Sequence, residues 1–513
     1  MSKKLPVVTS RGGTVEPPRL TPAPPPGRLI DSPRFPAQAK VELGNPVQRK
    51  NLHHAMTTIR DKRARVAGEL DNWEDLRLAG EAIKNRTLRH LDTYLVQLEE
   101  NLTAAGTEVH WARDAEEANR IIVGLVEASL GETREVVKIK SMATQEIDMN
   151  EALEEAGIAA WETDLAELIV QLGHDRPSHI LVPAIHRNRS EVREIFNAEM
   201  GTYGRPAPEG LDTEPKNLAG AARLHLREKF LRSKVAISGA NFMVADTGTL
   251  VIVESEGNGR MCLTLADTLI SVVGIEKIVP TVEDLEVFLQ LLPRSSTGER
   301  MNPYTSMWTG PASGDGPQTM HVVLIDNGRT QVLSDPKGRE ALRCIRCSAC
   351  INVCPVYEKV GGHAYGSVYP GPIGAVLTPQ LRGVTSAVDA SLPYASTLCG
   401  ACFDVCPVRI PLPDLLVHMR HKVVEGKKAK GGVHTESAIM KATGRMFSHP
   451  RLWAAAVNAG ALGGKALTGR VKHFGPLPWP LSKWTNARDV PIPPTESFRA
   501  WYARTHHEDG SLK

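Results

Sequence analysis

Seven of the eight cysteines in this 513-residue chain lie between Cys344 and Cys406, and that crowding constrains the fold more than any other feature. The first run reads CIRCSACINVCP and the second CGACFDVCP. A C-x2-C-x2-C-x3-C-P run wraps three thiolates around one iron-sulfur cubane and sends its fourth cysteine to a second. Cys344, Cys347, Cys350 and Cys354 keep this spacing. Cys399, Cys402 and Cys406 repeat its last three positions, with Ser396 where the first cysteine would stand. The exchange rule assigns Cys344, Cys347, Cys350 and Cys406 to one cluster and Cys354, Cys399 and Cys402 to the other. The second set is one thiolate short. It suits a 4Fe-4S cube completed by the Ser396 oxygen, water or a distant residue, or a 3Fe-4S cluster, and the sequence leaves both open. Zinc knuckles also use CxxC pairs, but zinc does not call for the longer run twice.

Length suggests two to four ordinary domains. Hydrophobic content of 42% and charged content of 23% are those of a soluble protein. No run of about 18 apolar residues predicts a membrane span, and cysteines kept for clusters rather than disulfides suit a reducing cytoplasm. Residues 1–45, with the run from Pro22 to Gly27, read as a disordered proline-rich tail. Leu88, Leu91, Leu95, Leu98 and Leu102 form one apolar stripe on a single predicted helix. The nearby Arg60, Lys62, Arg63 and Arg65 read as a solvated helix face, since no aromatic interleaving points to nucleic acid.

From residue 107 to about 200, short apolar strands alternate with helices: EVHWA, a helix opened by Asp114 with Glu117 three later, EVVKIK, a helix through Glu155, GIAAWE, DLAELIVQL, SHILVP and a helix near Glu191. Such alternation predicts a largely parallel α/β sheet. No G-x-G-x-x-G opens any of these helices, so a dinucleotide site is not supported. NFMVADTGTLVIVESEGNG reads as two strands around Thr247-Gly248, closed by a turn at Glu256 to Gly259. TLISVVGIEKIVP follows as a buried strand and TVEDLEVFLQLL as a helix capped by Thr281. Cys262 stands alone and reads as a small buried hydrophobe. The glycines and prolines of YPGPIGAVLTP predict tight turns whose amides donate to cluster sulfurs.

Seven stretches occur together and in order: KSMATQEI from Lys140, PSHILVPAIH from Pro177, ADTGTLVIVESEGNGR, LLPRSSTGER, CIRCSACINVCPVY, GGHAYGSVYPGPIGAVLTP and LCGACFDVCPVRIPL. In these stretches the sequence resembles the lactate utilization protein B family over about residues 46–513. The resemblance implies a lactate-utilization domain with a fold similar to sugar-phosphate isomerases and CoA transferases, a helical two-cluster ferredoxin domain and an irregular C-terminal extension. It places these at 46–330, 331–425 and 426–513. It also implies two iron-sulfur clusters and a role in oxidising L-lactate to pyruvate. Two partner proteins of the same pathway are implied with them, one cysteine-rich and one built on a second lactate-utilization domain. Ser396 in place of cysteine fits the family pattern as well.

From Arg409 onward seventeen Lys or Arg stand against seven Asp or Glu, a surplus that favours an acidic partner or peripheral contact with a membrane surface. Trp453, Trp479, Trp484 and Trp501 are scattered among prolines in the same region. The chain shows no flavin or nicotinamide fingerprint, and the catalytic residues stay unassigned. Electron relay is the expected role. The alternatives are relay for another 2-hydroxy acid or a thiol-disulfide couple, and a non-redox protein binding zinc and nucleic acid.

Overall fold

The computed structural model describes residues 33–429, the strand segments 7–8 and 14–15, and, beyond these, 431, 435–467, 473–474, 478, 482–486, 488–507 and 509–512. It divides into one unit of residues 1–426 and a second of 427–513. Strands β1 (Val7–Val8) and β2 (Thr14–Val15) pair antiparallel near the N-terminus. The first unit is built on a six-stranded sheet of β3 (Glu108–Ala112), β4 (Glu135–Lys138), β5 (Ala159–Glu162), β6 (Val235–Ser238), β9 (Thr268–Gly274) and β12 (Thr319–Ile325). Their spatial order is β3-β12-β9-β6-β4-β5, and every neighbouring pair is parallel. The chain passes from β4 to β5 in one direction and then through β6, β9 and β12 in the other. The winding therefore reverses between β4 and β6.

Period-two alternation divides the strand residues between two cores. Val137, Trp161, Ala236, Leu269 and Leu324 face helices Leu165–Leu172 and Pro215–Arg232. Val136, Ala160, Ile237, Ile270 and Val323 face helices Ala115–Ser129 and Met149–Glu155. Asp114 caps Ala115–Ser129 by accepting from Glu117 N–H at 2.9 Å, as the sequence predicts. A smaller sheet holds β10 (Ile278–Val279), β7 (Phe242–Val244), β8 (Thr249–Glu254) and β11 (Tyr304–Trp308) in that order. Its β7–β8 hairpin turns at Thr247-Gly248, where Gly248 has φ 65.

Several elements differ from the sequence reading, each for a packing reason. The leucine stripe is shared by two helices, Trp73–Arg89 and Leu91–Ala104, which break at His90. Leu88 packs into the core under the cysteine segment, while Leu91 to Leu102 pack under the large sheet. SHILVP forms a loop rather than a strand, because the His179 ring accepts from Leu181 and Val182 N–H at 3.1 Å and turns the backbone. Only Glu256 and Gly257 of the expected turn at 256–259 stay outside the helix that Asn258–Leu265 forms. The proline-rich tail ends earlier than residue 45. Phe35–Glu42 is a helix, with the Phe35 ring 5.0 Å from that of Tyr365 and its N–H donating to Ser391 Oγ at 3.0 Å.

The cysteine segment shares a core with the α/β body: Phe242 and Phe288 lie in the same buried cluster as Ile351, Tyr357 and Leu415. The loop of residues 175–187 forms one seam between them. Tyr357 donates to Ser178 O at 2.6 Å, and the His363 Nε2 to Arg176 O separation is 2.8 Å. In the second unit the C-terminal extension is more regular than its sequence suggests. It forms helices Thr435–Phe447 and Pro450–Leu467, joined by a Phe447–Trp453 ring contact at 4.8 Å. Trp479 and the Trp484 side chain lie outside the described residues.

At the seam a Cβ on Gly362 would lie 1.8 Å from Ser178 O. Gly362→Ala is expected to destabilise the chain by about 1–3 kcal/mol or more through overpacking. Urea unfolding followed by tryptophan fluorescence checks this, and an unchanged midpoint would mean that the two backbones separate freely.

Candidate metal centre

All eight cysteines are free thiols. Cys262 is fully buried, and burial raises its thiol to about 12, which suits an inert core residue. Cys344, Cys347, Cys350 and Cys406 surround one small cavity with walls that include Ile180, Ile373, Val408 and Leu412. Burial raises the Cys350 thiol, and adjacent Cys344, Cys347 and Cys406 raise it further. The other three form a second neighbourhood: burial and then Cys354 and Cys399 raise Cys402 to about 12. Such thiols stay protonated unless a cation offsets their charge, and iron supplies it. The donor set and the apolar walls thus fit iron-sulfur clusters.

The loop geometry comes from unusual backbone conformations. Arg346 and Ser348 both have φ 61, a region that non-glycine residues rarely enter and that clusters at functional sites. These two residues turn the chain twice within six positions, so that successive sulfurs face inward. Arg346 N–H then donates to Cys344 Sγ at 3.4 Å, and Ile410 N–H donates to Cys406 Sγ at 3.3 Å. Other amides that face sulfurs belong to Ala349, Val356, Tyr357, Phe403 and Val408. They lie in or beside the cysteine runs. YPGPIGAVLTP instead forms the buried helix Gly371–Arg382, whose amides are used along its own axis.

The two sulfur groups differ in access. Cys347, Cys350 and Cys406 of the first group and Cys354 and Cys402 of the second are all 6–8% exposed, and Cys344 is partly buried, whereas Cys399 is exposed and Ser396 is partly so. Ser396 Oγ accepts from Leu398 N–H at 3.1 Å, a local turn that holds the hydroxyl. Tyr365 is buried beside Cys354, and Tyr369 is also buried.

Sequence reasoning missed the supporting charges. The basic run near Arg60 is not a solvated face. Arg60 pairs with Glu358 at 3.0 Å, and Arg63 Nη2 donates to Val405 O at 2.9 Å. Arg77 Nε donates to Cys406 O at 2.9 Å and its Nη2 to Phe403 O at 3.0 Å. The guanidiniums thus clamp the second cysteine run to the N-terminal helices. Glu276, fully buried, accepts from Arg329 Nε at 2.5 Å and Arg346 Nη2 at 3.2 Å. Arg346 also lies over the Tyr369 ring at 4.6 Å. Glu146 joins this cluster, accepting from Arg329 Nη1 at 2.8 Å and from Tyr369 OH at 2.5 Å. The one available sequence signal was charge inside apolar context, as in GIEKIVP.

Comparison with known proteins decides the family. A protein named lactate utilization protein B 1 from Bacillus mycoides is 41% identical over 490 residues, covering 95% of this chain and all of the relative. This chain belongs to the lactate utilization protein B family. Another member, from Shouchella clausii, is 42% identical and covers 94% of this chain and 98% of its own length. The relative named uncharacterized electron transport protein YkgF in Escherichia coli is 41% identical, covering 92% of this chain and 96% of its own length. The LUD domain matches residues 95–325, the 4Fe-4S dicluster domain 340–410, and the lactate utilisation protein B C-terminal domain 416–507. A solved DUF162 family protein from Deinococcus radiodurans aligns with 46% of this chain and 98% of its own, at TM-score 0.24 and 16% identity, too slight a likeness to carry an argument. The chain therefore has a lactate-utilization α/β fold followed by a domain for two 4Fe-4S clusters. No helix among the described residues is long and apolar enough to cross a membrane.

Burial alone would raise the Glu276 carboxyl, but Arg329 and Arg346 outweigh it and hold it near 2, against an ordinary 4.5. The folded state thus keeps this carboxylate charged where the unfolded chain takes up a proton. Its stabilisation is complete above about 4.5 and is lost as pH falls toward 2. Glu276→Gln is expected to cost about 3–5 kcal/mol near neutrality, as for a broken buried ion pair. It should also flatten the acid loss of stability. Thermal unfolding of both proteins from pH 7 to 3.5 checks this, and parallel curves would remove Glu276 from that role.

Proposed function

We propose that this chain is the iron-sulfur electron-transfer subunit of a complex that oxidises L-lactate to pyruvate. The convergence of seven thiols into two neighbourhoods, within a lactate utilization protein B family member, carries this reading. Cys344, Cys347, Cys350 and Cys406 hold the first cluster. Cys354, Cys399 and Cys402 hold the second, completed by Ser396 oxygen, water or a distant residue. Each bound 4Fe-4S cluster carries one electron, so two match the two electrons released with two protons when a 2-hydroxy acid becomes a 2-oxo acid.

The protein's own residues exclude water from the first site with isoleucine, valine and leucine walls, and aim backbone N–H groups at the sulfurs of both. Such donors stabilise added negative charge and raise the potential. Thiols of both groups lie in the core shared with the α/β body, and the second group also reaches the surface through Cys399. That arrangement supports electron flow from the first cluster to the second and on to a partner. A cysteine-rich protein and a second lactate-utilization-domain protein of the same pathway complete the complex.

Cys402→Ser is expected to abolish the second cluster and leave the first largely intact. Low-temperature EPR of anaerobically purified protein, before and after reduction, reads this directly. A signal in the oxidised state would mark the second cluster as 3Fe-4S, and interacting reduced signals would mark paired 4Fe-4S clusters. Loss of both clusters in the variant would show that the ligands divide differently.

A further inference from the structure

A second cavity opens at the carboxyl ends of β4, β6 and β9. It sits where the winding reverses between β4 and β6, the place where open parallel sheets bind ligands. The residues following each strand reach it: Lys140 and Ser141 after β4, Asn241 after β6 and Lys277 after β9. The cysteine segment supplies the remaining wall through Arg346 and Tyr369. Ile180 and Arg346 line this cavity and the sulfur-lined one alike, so the partition between the two is a layer of side chains.

The charges around this space are unequally satisfied. Arg329 is spent on Glu146 and Glu276, and Lys140 on Asp164 at 3.0 Å and Leu181 O at 2.9 Å. Arg346 is 8% exposed, shares Glu276 through Nη2 and faces Cys344, yet its buried Nη1 has no hydrogen-bond partner among the described residues. Lys277 has neither a hydrogen bond nor an ion pair to any described residue. Buried Lys84 donates to Glu276 O at 2.6 Å and Ile278 O at 3.3 Å, which fixes the turn that presents Lys277. A buried guanidinium nitrogen without a partner is costly, and a bound anion relieves the cost.

We infer that this cavity binds a short 2-hydroxy or 2-oxo carboxylate, with Arg346 and Lys277 holding the carboxylate beside the first sulfur group. The inference rests on the electron-transfer reading and adds to it that the small acid docks on this chain rather than on a partner protein. Planar guanidinium and carboxylate match in geometry, and Lys277 adds a point charge. The Asn241 amide and Ser141 hydroxyl line the same space and offer polar contacts to the second oxygen of such an acid. The isoleucine and valine walls, including Ile180, Ile252 and Val272, suit a short hydrocarbon tail.

The test is equilibrium binding of oxalate and pyruvate, which need no turnover, to the anaerobically purified full chain with both clusters loaded. Calorimetry is expected to show one saturable site, with the neutral analogue lactamide at least tenfold weaker. Lys277→Gln should weaken pyruvate at least tenfold with iron and sulfide content unchanged, and Lys277→Arg should recover most of the affinity. Three results would overturn the proposal: no saturable binding to wild type, equal affinity in Lys277→Gln, or a shifted cluster potential in that variant with binding unchanged. The last would mean that the two cations only offset thiolate charge. Saturable, Lys277-dependent binding, with clusters that L-lactate does not reduce even in the purified complex with both partner proteins, would support this site while counting against the electron-transfer reading.

Discussion

A buried carboxylate holds the two halves of the first unit in register. Glu276 leaves the end of the central strand β9 and meets Arg329 from beyond β12 and Arg346 from inside the cysteine loop. Removing any one partner leaves an uncompensated charge in the interior, so the three act as a unit. The positive φ of Arg346 makes sense in this light: the backbone accepts an uncommon conformation, and the guanidinium gains a carboxylate and an aromatic face. The same turn sets the direction of Cys344 and Cys347. Sheet and sulfur loop are therefore positioned by one electrostatic contact rather than by apolar packing alone.

Much of this was legible in the residues. Alternating apolar segments gave the parallel sheet, because fully buried strands must be apolar on both faces and helices must cover them. The cysteine spacing pointed to clusters because thiolate geometry around iron is local in the chain. What stayed hidden was long-range. Arg63 and Arg77 lie more than 320 positions from the carbonyls they bind, and no local pattern separates a clamping arginine from a solvated one. SHILVP has strand composition, yet one histidine ring captures its amides. The leucine stripe continues unbroken across His90 although the helix does not, since periodicity records burial and not which core receives it.

The sharing of one core between sheet and cysteine segment also bears on how this family uses its lactate-utilization domain. A ferredoxin tethered by a linker would sample many orientations, and its electron partner would have to find it. Here the sulfur-lined cavity and the cavity at the strand ends have two side chains in common. Distance and orientation between them are fixed when the chain folds.

The helix at Phe35–Glu42 has a consequence of its own. Its leading ring packs on Tyr365, which lies beside the Cys354 sulfur, so a segment far from the cysteines in sequence helps bury one thiol of the second group, while Cys399 of the same group stays exposed. Iron-sulfur chemistry in a cell that meets oxygen depends on how often small oxidants reach the inorganic sulfides. Exposed Cys399, and not the Cys354 side beneath this helix, is then where small oxidants first meet the outer group.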